Sequence, residues 1–94
     1  MDFSIVIPTW NRSELVEALL KLLYDERERY TSGRTEVLIV DSSTDNEKDS
    51  IISSCKKYDA IYVEGDDSVR KKRNKGIRQS KYDYILFIDS DVVV

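Results

Sequence analysis

The chain has 94 residues, a net charge of −3 and no histidine. This length allows one small domain, near the lower limit at which a core forms without disulfides or metals. The absence of histidine excludes mechanisms that use a Ser/His or Cys/His pair, so carboxylates must serve as general base or metal ligand. The single Cys55 has no partner and lies in no zinc-type cluster, which indicates a reduced, intracellular protein. We expect a cytoplasmic location.

Charge and hydropathy exclude several other classes. The start of the chain, residues 1–8, has no basic leader, so no signal peptide is expected, and no apolar run approaches the length of a transmembrane segment. Residues 70–81 hold seven basic side chains and no acid, so the overall charge of −3 leaves −10 for the rest. This acidity disfavours nucleic acid as a partner, although the basic segment alone suits an anion or a nucleic acid.

Four short apolar runs predict β-strands. They are FSIVIP (3–8), EVLIVD (36–41), AIYVE (60–64) and YILFID (84–89). Their continuous apolar character predicts burial on both faces. Polar stretches with helical signals separate them, and this alternation predicts a parallel sheet covered by helices, an α/β fold.

The first predicted helix lies between the first two strands. A capping box at Asn11 and Glu14 should begin it, and it should run toward Tyr30, with Gly33 just beyond its end. Its apolar face is broad and consists of Leu15, Val16, Leu19, Leu20, Leu22 and Leu23.

Two further helices are predicted. The second has a capping box at Thr44 and Glu47, followed by an apolar group of Ile51, Ile52 and Cys55. The third, from about residue 68 to residue 80, has two apolar side chains, Val69 and Ile77, and should bury little apolar surface.

Acidic residues end three of the four predicted strands, at Asp41, Glu64 and Asp89. Ligands of open parallel sheets collect at these carboxyl ends. Local sequence favours a turn or cap role for Asp41, with a ligand acceptor as the alternative. Asp89 and Asp91 would share one face of an extended strand, which suits either a divalent cation or a solvated turn.

The sequence lacks both common glycine-rich phosphate loops, the P-loop and the G-x-G-x-x-G motif. A bound phosphate would therefore have to be met by a metal and by arginine. The basic run RKKRNK (70–75) supplies such arginines, although a solvated helix face explains it equally well.

Three stretches together resemble the N-terminal, nucleotide-binding half of a family 2 glycosyltransferase, an inverting enzyme of the GT-A group. FSIVIPTWNR (3–12) resembles its opening strand and P-x-x-N turn, and VLIVDSSTDN (37–46) resembles its second strand and loop. RNKGIRQSKYDYILFIDSD (73–91) resembles its R-N-x-G helix and the strand that ends in a D-x-D motif. The resemblance implies a Rossmann-like three-layer sandwich of about four parallel strands and three helices, with strand order 3-2-1-4.

The resemblance also implies ligands and site residues, but no catalytic residue. The donor would be a nucleotide-diphosphate sugar, with a UDP-sugar favoured, bound together with Mg²⁺ or Mn²⁺. Asp41 would accept a base N–H, Asp91 would ligate the metal, and Asp89 would contact the ribose or share the metal. Gly76 would let its helix pack closely. The implied nucleotide-binding residues are Pro8, Thr9, Asn11, Asp41, Arg73 and Asp89.

Two departures from the family pattern stand out. The loop after Asp41 reads DSSTD, one residue shorter than usual and without glycine, and Ser42 replaces a second acid. Family members also continue past D-x-D into an acceptor-binding half that supplies the general base. We therefore expect residues 1–94 to be the nucleotide-sugar-binding half-domain, a natural remnant or a truncated form that does not transfer sugar. Its last strand, residues 84–94, should then promote self-association.

Other classes fit less well. The main alternative is a small non-catalytic α/β domain that binds metal or nucleotide for regulation, but a receiver-like domain has acids after its first strand, where this chain has Pro8 and Thr9. A nucleotidyltransferase-like protein would have a glycine-rich basic loop there. A nucleic-acid-binding module would depend on residues 70–81 alone.

Overall fold

The structure, a computed structural model, describes residues 2–29, 34–66 and 68–88. Within these ranges strands and helices alternate, as predicted. The elements are β1 (Phe3–Thr9), α1 (Ser13–Arg29), β2 (Thr35–Asp41), α2 (Asp45–Lys57), β3 (Ile61–Glu64), α3 (Val69–Gln79) and β4 (Tyr84–Phe87).

The strands form one parallel sheet in the order β3-β2-β1-β4, which confirms the predicted strand order. β1 pairs with β2 from Phe3 beside Thr35 to Thr9 beside Asp41, and β3 ends with Glu64 beside Asp41. The carboxyl ends of these three strands are therefore level with one another. Side chains at these three strand ends are therefore close enough to contact one another or a shared ligand.

Helices α1 and α2 cover one face of the sheet and enclose the main apolar core. Side chains alternate between the two faces along a strand, and Ile5 and Ile7 of β1 share this face with Val37 and Ile39 of β2. Each such buried side chain stabilises the fold by roughly 1.5–3 kcal/mol. Their buried partners on the helices are Val16, Leu20, Ile51 and Cys55.

Helix α3 covers the other face and completes three layers, although it carries little apolar surface. Its buried residues are Lys72 and Gly76, while Ile77 is 44% exposed. A Cβ atom at Gly76 would overlap Val6 Cγ1 and lie 3.3 Å from Val40 Cγ2. The glycine therefore lets the α3 backbone lie directly on the sheet, as the family resemblance implies.

The prediction of burial on both faces is correct for the central strands and wrong for the outer ones. Most of β1 and β2 is buried, but Ile61 in β3 is 45% exposed and Tyr84 in β4 is 62% exposed. Both outer strands are four residues long and lie at the edges of the described sheet, where each has a neighbouring strand on one side only.

Both predicted capping boxes are wrong in their hydrogen bonds. Helix α1 begins at Ser13 rather than beside Asn11, which has a φ of 48° and bonds to the next loop, so Asn11 and Glu14 form no box. Thr44 occupies the N-cap position of α2, but its side chain makes no cap hydrogen bond. Glu47 accepts instead from the Ser13 N–H at 3.0 Å. Asn11 and Glu47 therefore connect the start of α1 to the start of α2, and neither caps the helix that the sequence predicts for it.

The apolar face of α1 is narrower than predicted. Val16 and Leu20 are buried, whereas Leu15 is 42% exposed and Leu22 is 57% exposed. The predicted end of this helix, at residues 30–33, lies outside the described residues. Within the described ranges, no helix has the length and apolar character that a membrane crossing requires.

Candidate functional site

Thr9 and Asp41 end neighbouring strands, and their side chains meet. The Thr9 hydroxyl donates to Asp41 Oδ1 at 2.7 Å, and the Ser43 hydroxyl donates to the same oxygen at 2.6 Å. The Ser43 N–H donates to Oδ2 at 3.1 Å, and the Tyr62 hydroxyl of β3 donates to Oδ2 at 2.9 Å. The Asp41 carboxylate is fully buried, and these bonds use about four acceptor positions, its full capacity.

The hydrogen bonds explain how this carboxylate is kept out of water. A buried charge is strongly unfavourable unless polar partners replace its hydration. Burial, and then the hydrogen bond to Asp41, raise the pKa of the Tyr62 hydroxyl, so Tyr62 remains a donor at neutral pH. Burial, and then the charge of Asp41, raise the pKa of the Cys55 thiol to about 12, so this thiol remains protonated.

Hydrogen bonds also connect the loops that follow β1 and β2. The Asn11 N–H donates to Ser43 Oγ at 2.7 Å, and the Thr44 N–H donates to Asn11 Oδ1 at 3.3 Å. The Ser42 N–H donates to the Thr9 carbonyl at 3.2 Å. The positive φ of Asn11 is a conformation that asparagine tolerates better than most residues. The two strand ends and their loops therefore form one hydrogen-bonded unit.

A lysine of α3 reaches this unit from the other face of the sheet. Lys72 is 2% exposed, and its Nζ donates to the Thr9 carbonyl at 2.8 Å. Its aliphatic stem lies against Gly65, where an added Cβ would be 3.0 Å from Lys72 Cγ and 2.8 Å from Val40 Cγ1. Thr9 is therefore bonded twice, through its hydroxyl to Asp41 and through its carbonyl to Lys72.

The end of β3 is held by lysines. Lys48 Nζ pairs with Glu64 Oε1 at 3.0 Å, and Lys75 Nζ donates to the Glu64 carbonyl. The hydrogen bond from Lys48 lowers the pKa of the Glu64 carboxyl. The next residue, Gly65, donates its N–H to the Asp41 carbonyl at 2.8 Å, which extends the pairing of β2 and β3 past the strand end.

Two predicted site residues lie on the α3 side. Pro8 is buried, and Arg73 places its guanidinium carbon 5.9 Å from the centroid of the Phe87 ring. Phe87 pairs with Val6, on the face that α3 covers, whereas the Asp41 side chain lies on the α1 and α2 face. The structure therefore joins Arg73 to β4 and does not bring it beside Asp41.

The remaining predicted residues, Asp89 and Asp91 of the D-x-D motif, lie outside the described residues. Ile88, the last described residue before them, donates its N–H to the Val6 carbonyl at 3.1 Å. Among the residues that the structure describes, no group of three or more acidic, cysteine or histidine side chains could hold a metal. Asp41 is already saturated by internal donors, so the metal site remains a prediction that depends on the D-x-D aspartates.

Almost the whole chain, residues 4–94, matches the model of one protein family, glycosyl transferase family 2. The chain belongs to this family. Chondroitin synthase of Pasteurella multocida is 32% identical over an alignment of 99 residues, gaps included. The alignment covers 98% of this chain and 10% of that protein. An uncharacterized glycosyltransferase of Haemophilus influenzae is 36% identical over 91 residues, which cover 94% of this chain and 29% of that protein. The family 2 chain thus spans less than a third of either relative.

Solved structures confirm the GT-A type of Rossmann-like fold. The crystal structure of S. aureus TarS superposes with a TM-score of 0.70 at 27% identity and covers 97% of this chain and 17% of its own. A crystal structure of S. aureus TarS 1-349 gives a TM-score of 0.73 at 24% identity, covering 97% of this chain and 28% of its own. The family match favours the glycosyltransferase interpretation over the receiver-like and nucleotidyltransferase-like alternatives.

Three residues at the strand ends of this family 2 domain were not predicted as site residues. Ser43 lies in the Ser/Thr-rich loop, which was a usable signal, because such loops often supply hydroxyl donors. Tyr62 could have been found from the register of β3 against β2, but that register is not visible in local sequence. Lys72 lies within a run of basic residues, and nothing in the sequence distinguishes it from its exposed neighbours.

Proposed function

We propose that this family 2 domain binds a nucleotide-diphosphate sugar, as the donor-binding part of a glycosyltransferase. The observation that carries the proposal is the hydrogen-bonded unit of Thr9, Asn11 and Asp41, which gathers polar groups at the edge where parallel α/β sheets bind ligands. The family match supports this class of ligand. A UDP-sugar is the donor that we favour.

In this proposal the nucleotide base binds beside Thr9 and Asp41. Because internal donors already saturate the Asp41 carboxylate, a base N–H can bond to it only if one of them leaves. Tyr62 is half-buried, whereas Thr9 and Ser43 are buried, so the Tyr62 hydroxyl leaves most easily. We therefore expect the base N–H to replace the Tyr62 hydroxyl at Asp41 Oδ2.

The diphosphate would lie toward β4 in the same proposal. Asp89 and Asp91 would hold Mg²⁺ or Mn²⁺ there, since hard divalent cations prefer carboxylate oxygens. Such a cation would stabilise the negative charge of the departing diphosphate. Asp89 would also contact the ribose, and Arg73 would approach the diphosphate or the base from α3. The pairing of Ile88 with β1 supports this placement, because it brings the chain to the residue before the motif.

We also propose that residues 1–94 form the donor-binding half-domain, and that these residues alone bind the donor without transferring sugar. The greater length of the relatives supports this, since the chain covers 10% and 29% of two of them. The general base that deprotonates the acceptor would belong to the other half. Sugar transfer by the purified 94-residue chain would contradict this point.

Self-association through β4 is a further part of the proposal. β4 lies at the edge of the sheet, and Tyr84, Leu86 and Phe87 are 62%, 50% and 40% exposed. Exposed edge strands pair readily with a second copy. Light scattering should show a mass that rises with concentration, and a constant monomer mass would contradict self-association.

We also propose a cytoplasmic location. The buried free thiol of Cys55 supports it, because free thiols are typical of reducing compartments.

The donor-binding proposal is tested by calorimetric titration with UDP, GDP and their sugars, with and without Mn²⁺. We expect saturable binding that Mn²⁺ strengthens. Asp41→Asn should weaken binding about tenfold, because it removes a charged acceptor. Asp49→Asn, at an exposed position of α2, is the matched control and should bind normally. With folding verified by circular dichroism, an absence of binding, or unchanged binding by Asp41→Asn, would contradict the proposal.

A further inference from the structure

Lys72 is a buried cation that the proposed donor site does not yet use. Four of the other basic residues of its segment, Arg70, Lys71, Arg78 and Lys81, are exposed, whereas Lys72 is 2% exposed. Burial of an ammonium group is unfavourable unless hydrogen bonds replace its hydration. A lysine in this position therefore requires a specific arrangement of acceptors around it.

The Thr9 carbonyl is one such acceptor. It receives the Lys72 ammonium at 2.8 Å and the Ser42 N–H at 3.2 Å. The lysine stem is held in place because it fills the space beside Gly65, where any Cβ would meet Lys72 Cγ at 3.0 Å. The ammonium thus has a fixed position at the end of β1.

Thr9 lies between two buried charges of opposite sign. Its hydroxyl donates to the Asp41 carboxylate on one face of the sheet, and its carbonyl accepts from the Lys72 ammonium that arrives from the other face. The turn that follows leads directly to Asn11, whose backbone and side chain bond to the loop after β2. The Thr9 carbonyl therefore belongs to the same connected set of hydrogen bonds as Asp41 and Asn11.

We propose that Lys72 is a positioning residue of the nucleotide site, which fixes the Thr9 turn for the nucleoside part of the ligand and does not bind phosphate. This inference depends on the proposed function. The contact with a backbone carbonyl and the near-complete burial both favour positioning over direct phosphate contact. An exposed lysine would suit phosphate better, since it could follow a flexible ligand.

The test compares uridine with UDP as probes, titrated into Lys72→Met and into the control Lys71→Met, which alters an exposed neighbour on the same helix. Lys72→Met should weaken the binding of uridine and of UDP by the same factor, about tenfold, because the charge-assisted hydrogen bond to the Thr9 carbonyl is lost. Lys71→Met should change neither. Loss of UDP affinity alone would reveal a phosphate contact and overturn the proposal, and so would unchanged affinity for both probes.

A second measurement separates this inference from the proposed function. If the wild-type chain bound neither probe, the proposed function would fail, but the positioning role would still be visible without ligand. Lys72→Met should shift the amide signals of Ser42 and Asn11, whereas Lys71→Met should not. Unshifted signals in Lys72→Met would overturn the positioning role whatever the nucleotide result.

A third measurement uses the wild-type chain, in case Lys72→Met does not fold. Its Lys72 ammonium should give a slowly exchanging NH₃⁺ signal, unlike the ammonium of exposed Lys71. Uridine alone should shift this signal as much as UDP does. A signal that responds to UDP and not to uridine, or an ammonium that exchanges as fast as that of Lys71, would overturn the proposal.

Discussion

The two faces of the sheet are covered by different kinds of packing. On the α1 and α2 face, apolar side chains such as Ile39 and Leu20 pack against each other in a continuous buried cluster. On the α3 face, the helix contributes Gly76, which lies against Val6 and Val40, and the stem of Lys72, which lies against Gly65. The first face is stabilised by side-chain burial, and the second depends on close approach of the helix backbone.

This difference shows how the strongly basic helix α3 can pack against the sheet with little apolar surface of its own. A helix without an apolar stripe gains little from the hydrophobic effect, so its attachment depends on shape and on a few specific hydrogen bonds. Helix α3 places Lys72 at the end of β1 and Arg73 beside Phe87 of β4. The main apolar core therefore lies on one face, and the other face carries the cations Lys72 and Arg73.

The largest expected effect is on the α1 and α2 face. Ile39→Ala should lower the free energy of unfolding by about 3 kcal/mol, because it leaves a cavity in the buried cluster. Ile77→Ala on α3, where the isoleucine is 44% exposed, is the matched control and should lower it by less than about 0.5 kcal/mol. Urea unfolding measures both. Equal losses would show that the two faces are packed alike.

The next effect tests close approach on the α3 face. Gly76→Ala should lower the free energy of unfolding by about 2 kcal/mol, because the new Cβ overlaps Val6, and the better helix propensity of alanine offsets only part of this. Asn74→Ala, at an exposed position of the same helix, should be neutral or slightly stabilising. A more stable Gly76→Ala would mean that α3 does not depend on the glycine.

A smaller effect concerns the polar end of the α1 and α2 face. Tyr62→Phe should lower the free energy of unfolding by about 1 kcal/mol, because Asp41 loses one of its donors. The same change should raise nucleotide affinity about threefold, since the base N–H no longer competes with the tyrosine hydroxyl. Tyr58→Phe, in the α1 and α2 cluster, should leave affinity unchanged. Weaker nucleotide binding by Tyr62→Phe would show that the hydroxyl assists the ligand.

The smallest effect is the pH dependence of the contact between the two helices. Hydrogen bonds from Ser13 lower the pKa of the Glu47 carboxyl below its usual value of 4.5. A pKa that is lower in the folded state means that this stabilisation is complete above about pH 4.5 and is lost as the pH falls through the folded value.

Glu47→Gln should therefore flatten the acid side of the stability profile, as measured by thermal unfolding between about pH 3 and pH 7. Glu14→Gln, in the first turn of α1, is the control and should leave the profile unchanged. An unaltered profile for Glu47→Gln would show that the contact with Ser13 contributes nothing to the folded state.

The sequence predicted the order of the elements because β1 and β2 are continuous apolar runs separated by helical patterns. The apolar runs alone did not predict that Ile61 and Tyr84 are exposed, since this exposure accompanies the edge positions of β3 and β4 in the sheet. The sequence assigned Asn11 and Glu47 to local caps, whereas their actual partners lie more than 30 residues away along the chain. Local sequence carries little information about such contacts.

Part of the arrangement at the strand ends follows from the sequence. The family resemblance placed Thr9 and Asp41 together, and the structure joins them directly. It also grouped Arg73 with them, but a helix on the opposite face holds this residue against β4. Lys72 was missed because its burial follows from the close approach of α3, which no pattern in the basic segment reveals.

The most direct test of nucleotide binding at the strand ends is a map of amide signals during titration of the wild-type chain with UDP and Mg²⁺. We expect the largest shifts at Thr9, Asn11 and Ser43, and none at Tyr82 or Tyr84, which lie beside the start of β1. Shifts confined to residues beside the start of β1, or no shifts at saturating nucleotide, would contradict the central claim.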